Sequence, residues 1–130
     1  MVNKKYIEYP TKILNNEITS CEYVKLACKR YLSFFERDDI YFDSDKVDKV
    51  VNFMQKLKHF TGSHNGKSFV LQPFQFWIVC NIYGWYWKST NERVTKNVYI
   101  ELARKNGKSF FAAAIALYNL IADNEPNAEV

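Results

Sequence analysis

Residues 98–109 have the sequence VYIELARKNGKS and lead directly into the alanine-rich run FFAAAIALY at 110–118. A β-prone run, a short basic turn ending in Gly-Lys-Ser and then a helix is the order typical of a phosphate-binding loop. The backbone N–H groups of such a loop and the N-terminus of its helix attract phosphate. The stretch therefore predicts nucleotide binding, with Lys108 at the β- and γ-phosphates and Ser109 as a ligand of Mg²⁺.

The loop departs from the full phosphate-loop pattern at one position. That pattern requires a glycine five residues before Gly107, and Leu102 stands there. A second Gly-Lys-Ser at 66–68 has no β-prone run before it, and Pro73 follows where a helix from Ser68 would have to continue. We interpret this second copy as a turn with a solvated lysine. The alternative for the first copy is an ordinary strand–turn–helix with an exposed basic tip.

The composition indicates a globular chain without a membrane segment. The 130 residues are 48% hydrophobic and 17% aromatic, which is enough for the core of one domain or of part of a larger one. No apolar run approaches the ~18–20 residues of a membrane span, and the N-terminus lacks a signal peptide's apolar region. The net charge of +4 tolerates a polyanionic partner without requiring one. Cys21, Cys28 and Cys80 are predicted to be buried thiols in a reducing compartment.

Apolar residues at helical spacing predict four helices. The first runs over about 19–37, with Thr19 or Ser20 as its cap and with Tyr23 and Leu26 on its apolar side. The second follows Asp43, whose side chain can cap it. The third begins near Pro73 and is apolar on most sides, so it should be buried. The four predicted helices span about 19–37, 46–57, 73–85 and 108–123.

The remaining segments are predicted to be turns and one strand. Residues 59–67 form a loop whose two histidines have no catalytic partner, and residues 89–92 form a turn. Alternating apolar residues predict a strand over 94–102, and 128–130 resemble the start of another. No strand ending in Asp-Glu, which would hold Mg²⁺ and polarise the attacking water, is present. We therefore expect the chain to be the N-terminal piece of a longer protein.

Several motifs together resemble the large subunit of tailed-phage terminases. They are LQPFQ at 71–75, Gly-Trp at 84–85, ARKNGKS at 103–109, the alanine-rich helix at 111–118 and DNEPNAEV at 123–130. The resemblance covers about 62–130, whereas residues 1–60 agree only in being helical and polar. It implies an α/β fold, the start of a P-loop NTPase of the RecA-like (ASCE) class that is mostly helical in this fragment. Residues 1–60 would be an N-terminal helical region. Residues 61–130 would begin the ATPase domain, without its Walker B strand but with one clear strand before the P-loop helix.

The resemblance also assigns roles within the loop. Terminases carry a deviant loop in which a small residue and an arginine precede two variable positions and Gly-Lys-Ser or Gly-Lys-Thr. Ala103, Arg104, Lys105, Asn106, Gly107, Lys108 and Ser109 fit this pattern, so Leu102 is no obstacle. Arg104 would lie near the γ-phosphate as a sensor or as transition-state charge, and Arg104 and Lys108 would be the catalytic residues.

A glutamine upstream of the loop completes the implied ATP site. Gln75 resembles the family's adenine-reading glutamine, because a side-chain amide both donates and accepts hydrogen bonds at the edge of the base. Gln72 is the weaker candidate, since it precedes the helix. Taken alone, Gln75 has an alternative as an ordinary polar residue on the helix surface.

The implied function is that of a DNA-packaging motor. The cofactors would be ATP and Mg²⁺, and the full-length protein would also carry an endonuclease domain. Its partners would be double-stranded phage DNA, the portal protein, the small terminase subunit and further copies of itself, in the cytoplasm of the bacterial host and without a membrane. We expect the 130 residues alone to hydrolyse ATP negligibly. The alternatives are a helical interaction module or truncated gene product without nucleotide binding, and another P-loop ATPase such as a helicase.

Overall fold

The computed structural model describes residues 3–57, 70–102 and 108–121, the last range without the side chains of 108 and 109. A short 3₁₀ turn at Lys4–Tyr6 precedes seven elements. They are α1 (Glu8–Leu14), α2 (Glu22–Phe34), β1 (Ile40–Phe42), α3 (Ser44–Gln55), α4 (Pro73–Tyr83), β2 (Trp85–Trp87) and α5 (Lys108–Ile121). Among the described helices, none is both long and apolar enough to cross a membrane.

The four predicted helices are confirmed as α2, α3, α4 and α5. Helix α3 begins as expected, because the Asp43 carboxylate accepts a hydrogen bond of 3.3 Å from the backbone N–H of Lys46. Its apolar stripe is buried at Val47, Val50 and Met54. Helix α4 begins at Pro73, where a missing N–H costs nothing.

The details predicted for α2 are wrong in two respects. The cap is Cys21, without a side-chain hydrogen bond, rather than Thr19 or Ser20. Tyr23 and Leu26 are 84% and 50% exposed instead of buried. The reason is that α1, which was not predicted, packs against α2 and determines which of its faces lies in the core. Cys21 is consequently an exposed thiol, whereas Cys28 and Cys80 are buried as expected.

The strand predicted over 94–102 is wrong, because those residues have no regular secondary structure. A strand requires a ladder of hydrogen bonds to a neighbour, and in the described part of the chain only Val94, whose N–H donates to the carbonyl oxygen of Trp85, makes such a backbone bond within this segment. The observed sheet is instead a two-stranded antiparallel pair of β1 and β2, with Tyr41 opposite Tyr86. The architecture is thus a mixture of helices and one small sheet.

Gly84 separates α4 from β2, so Trp85 lies in a strand and not in the predicted helix. A side chain at Gly84 would collide with the ring of Phe42 and with the carbonyl oxygen of Cys80. This close approach lets β2 turn back along β1. The turn predicted at 89–92 is confirmed, with Asn91 in the left-handed region at φ 60°.

One hydrophobic core draws residues from both predicted regions of the chain. Trp85 is 1% exposed, and its ring centroid lies 4.7 Å from that of Phe35 and 5.1 Å from that of Phe42. The same buried cluster includes α3 side chains and Phe111 of α5. Helix α5 therefore packs directly on α3.

Candidate nucleotide-binding site

The helix predicted to follow the phosphate loop begins where the sequence places it. Helix α5 starts at Lys108, the residue after Gly107. The first N–H groups of a helix have no partner within it and carry partial positive charge, as a phosphate site requires. The predictions for Ala103, Arg104, Lys105, Asn106 and Gly107, and for the side chains of Lys108 and Ser109, lie outside the described residues.

One face of α5 fixes this helix in the core. Phe111, Ala114 and Tyr118 are at most 3% exposed and recur at helical spacing. The ring of Tyr118 lies 5.5 Å from that of Phe53 on α3 and 5.2 Å from that of Tyr83 on α4. These contacts set the position of the helix whose first turn follows the loop.

A hydrogen bond adds to these ring contacts. The Tyr83 hydroxyl donates to Oδ1 of Asn119 at 2.6 Å. The opposite face of α5 is exposed to solvent, since Leu117, Leu120 and Ile121 are 42%, 57% and 66% exposed. Within the described ranges, α5 is thus held from one side.

The segment that enters the loop is attached to the same end of α4. The Thr95 hydroxyl donates to the carbonyl oxygen of Asn81 at 2.9 Å. The backbone N–H of Val94 donates to the carbonyl oxygen of Trp85 at 3.0 Å. Beyond these bonds, Val98 and Tyr99 are 49% and 86% exposed. The segment before the predicted loop and the helix after it therefore both contact the last turn of α4 or the strand that follows α4.

The structure places Gln75 in the first turn of α4, where its side chain has a structural role. Gln75 is 3% exposed, and its Oε1 accepts a hydrogen bond of 2.9 Å from the backbone N–H of Gln72. Gln72 is the exposed N-cap, so it precedes the helix as predicted. Because an amide carbonyl has two lone pairs and its nitrogen two N–H groups, the cap leaves capacity for a ligand. Adenine recognition by Gln75 stays a prediction.

The buried thiols of the region are poor nucleophiles. Burial raises the pKa of the Cys80 thiol to about 12 and that of the Cys28 thiol to about 11. Both are therefore neutral near pH 7. Within the residues that the structure describes, no three His, Cys, Asp or Glu side chains converge on a possible metal position. The predicted Mg²⁺ ligand, Ser109, lies outside that part.

Comparison with known proteins gives a match, which covers the same part of the chain. Residues 73–130 match the family model described as the terminase large subunit, ATPase domain. Comparisons with curated proteins and with solved structures give no match. The matched region starts at the first residue of α4 and contains Gln75, the loop and α5. Residues 73–130 are therefore similar to the ATPase domain of the terminase large subunits.

Proposed function

We propose that this chain is the nucleotide-binding part of an ATP-driven motor that packages double-stranded phage DNA into a capsid. The family match over 73–130 carries the proposal, since terminase ATPase domains imply a P-loop NTPase fold and a DNA-packaging role. The start of α5 directly after Gly107 agrees with it. The match also favours a terminase over the helicase alternative.

The loop residues would bind the triphosphate. The backbone of 103–107 would surround the phosphates, the Lys108 ammonium would neutralise the β- and γ-phosphates, and the Ser109 hydroxyl would hold Mg²⁺. Arg104 would add permanent charge near the γ-phosphate, where negative charge is redistributed in the transition state. ATP supplies the phosphoryl group, and these residues bind and orient it.

Gln75 would recognise the adenine at the start of α4. Its burial and its bond to Gln72 hold the amide in a fixed position, which a base-reading group requires. Its amide N–H groups are not used by the cap, so they would donate to acceptor atoms of the base.

These 130 residues contain the residues proposed to bind ATP but not the acids needed to hydrolyse it. Such ATPases polarise the attacking water with acids that follow an apolar strand, and the sequence contains no Asp-Glu pair. We therefore propose that the chain binds ATP with Mg²⁺ and hydrolyses it negligibly. The endonuclease, the portal protein, the small subunit, homo-oligomer formation and the host cytoplasm belong to the whole motor.

A nucleotide titration tests the proposal, and the chain provides its own matched control. Lys108→Ala should weaken binding of a fluorescent ATP analogue with Mg²⁺ by at least about tenfold, because the phosphate charges lose their partner. Lys67→Ala removes the lysine of the second Gly-Lys-Ser and should leave the affinity unchanged. Equal effects of the two substitutions, or no binding by the parent protein, would contradict the proposal.

The second candidate function is that of an interaction module without nucleotide binding. The exposed apolar side chains of α5 at Leu117, Leu120 and Ile121 favour it, because such a face is suited to a protein partner. The same titration distinguishes the two functions. If the chain is an interaction module, the parent protein should show no Mg²⁺-dependent ATP binding, and Lys108→Ala should therefore change nothing in the titration.

A further inference from the structure

The last turn of α4 contacts both the segment that precedes the predicted phosphate loop and the helix that follows it, the latter near the helix's far end. On the outgoing side, Tyr83 contacts α5 through Tyr118 and Asn119; on the incoming side, Asn81 holds Thr95. We propose that Tyr83 and Asn119, here called the α5 anchor, are positioning residues for nucleotide binding. The inference rests on the proposed function, since it concerns how the same loop is held.

The anchor is a part-buried and directional contact next to a buried pair of rings. Tyr83 is 1% exposed and Tyr118 is 3% exposed, and their rings meet edge to face at 77°. The hydrogen bond from the Tyr83 hydroxyl to Asn119 is 2.6 Å long. To the packing of the buried face of α5, this bond adds a directional restraint on the rotation and register of the helix against α4.

The position of the anchor along α5 gives it leverage on the loop. Asn119 lies eleven residues after Lys108, the first residue of the helix, which at a rise of about 1.5 Å per residue is roughly 16 Å. A helix moves as a rigid body over this length, so a small rotation at the anchor displaces the first turn. Misplacement of a binding group by about 1 Å is enough to cost large factors in function.

A second set of contacts, made by the segment before the loop, also supports the inference. The Thr95 bond to Asn81 and the Arg93 guanidinium, 5.4 Å from the centre of the Tyr83 ring, tie that segment to the same turn. Loss of the anchor would therefore release one flank of the loop and leave the other in place. The distance between the two flanks would then no longer be fixed.

Two tyrosine-to-phenylalanine variants test the proposal. Tyr83→Phe removes only the hydroxyl of the anchor and should weaken binding of ATP with Mg²⁺ by about three- to tenfold, as expected for one lost hydrogen bond. Tyr31→Phe is the matched control, because its buried hydroxyl donates to the carbonyl oxygen of Tyr6 at 2.8 Å in the same core. It should lower the stability at least as much and leave the ATP affinity unchanged. A merely structural role would give both variants the same affinity as the parent.

A second measurement does not require nucleotide. Amide hydrogen exchange over 110–121 should be faster in Tyr83→Phe than in Tyr31→Phe, and Asn119→Ala should add little to Tyr83→Phe. Equal exchange in the two tyrosine variants would overturn the anchor. If the parent protein binds ATP and Tyr83→Phe binds it equally well, this inference fails and the proposed function stands. If the parent binds no ATP, the proposed function fails, and exchange alone decides whether α5 is anchored.

Discussion

Helices α4 and α5 are both mostly apolar in sequence, but they have different surroundings in the structure. Both are built almost wholly from apolar residues, PFQFWIVCNIY at 73–83 and KSFFAAAIALYNLI at 108–121. Helix α4 contacts α1, α3 and β2, so it is covered on most sides. Helix α5 packs on α3 and on the end of α4, and its other face remains exposed.

The difference shows that burial is decided by neighbours and not by composition. A helix covered on most sides is part of the cooperative unit of the domain, whereas a helix held on one face can detach at lower free energy. Within the described residues, the helix held on one face is the one that follows the predicted nucleotide loop. Its placement thus depends on a few contacts, of which the α5 anchor is the most directional.

The largest expected effect on stability comes from a substitution in the core next to α4. Trp85→Ala, which empties the centre of the aromatic cluster next to α4, should lower the free energy of unfolding by about 3–5 kcal/mol. Because Trp85 contacts rings from α2 and β1, the loss should appear in one cooperative transition. Urea unfolding followed by far-UV circular dichroism measures it.

Phe111→Ala provides the counterpart on α5. Phe111 is 1% exposed, and its truncation should release α5 while α1 to α4 remain folded. Limited proteolysis would then cut within 108–121 before any other helix. Simultaneous loss of all helices, at the urea concentration that unfolds Trp85→Ala, would show that α5 belongs to the same cooperative unit.

The sequence predicted the helices well because their apolar spacing is strong, and it missed elements for identifiable reasons. Helix α1 carries Pro10, which is usually a helix breaker, but the proline lies in the first turn, where no N–H bond is lost. Strands β1 and β2 have three residues each, too few for a period to be recognised. The alternation over 94–102 is real, yet a strand also needs a partner.

The sequence predicts a location for the candidate site but says little about the contacts that surround it. The loop and Gln75 follow from motifs, and the family match confirms the resemblance on which they rest. The capping role of Gln75 had a signal, since a glutamine three residues after an N-cap is typical of a capping box. The bond between Tyr83 and Asn119 joins residues 36 positions apart, and no single sequence encodes such a contact visibly.

Alkaline pH should destabilise the folded protein through its buried ionisable side chains. Burial raises the pKa of the Cys80 thiol from 9.0 to about 12, and it raises the pKa of Tyr31 as well. The folded state keeps the thiol protonated where the unfolded chain ionises it, so stability is full below about pH 9 and falls above it. The expected loss is about 1 kcal/mol per thiol between pH 9 and pH 10.

Urea unfolding at pH 8, 9 and 10 measures this slope. Cys80→Ala should reduce it, because the thiol whose pKa burial raises is gone. An unaltered slope in Cys80→Ala would mean that the thiol titrates normally in the folded protein.

The smallest expected effect concerns the exposed face of α5. Leu120 is 57% exposed, and Leu120→Ala should change the free energy of unfolding by no more than about 0.5 kcal/mol, because little apolar surface leaves a buried environment. Ile82→Ala is its counterpart on α4, where the side chain is 8% exposed, and it should cost about 2–5 kcal/mol. Urea midpoints of the two variants make the comparison. A loss above about 1 kcal/mol for Leu120→Ala would mean that this face of α5 is covered in solution, so that the two helices differ less than their described surroundings indicate.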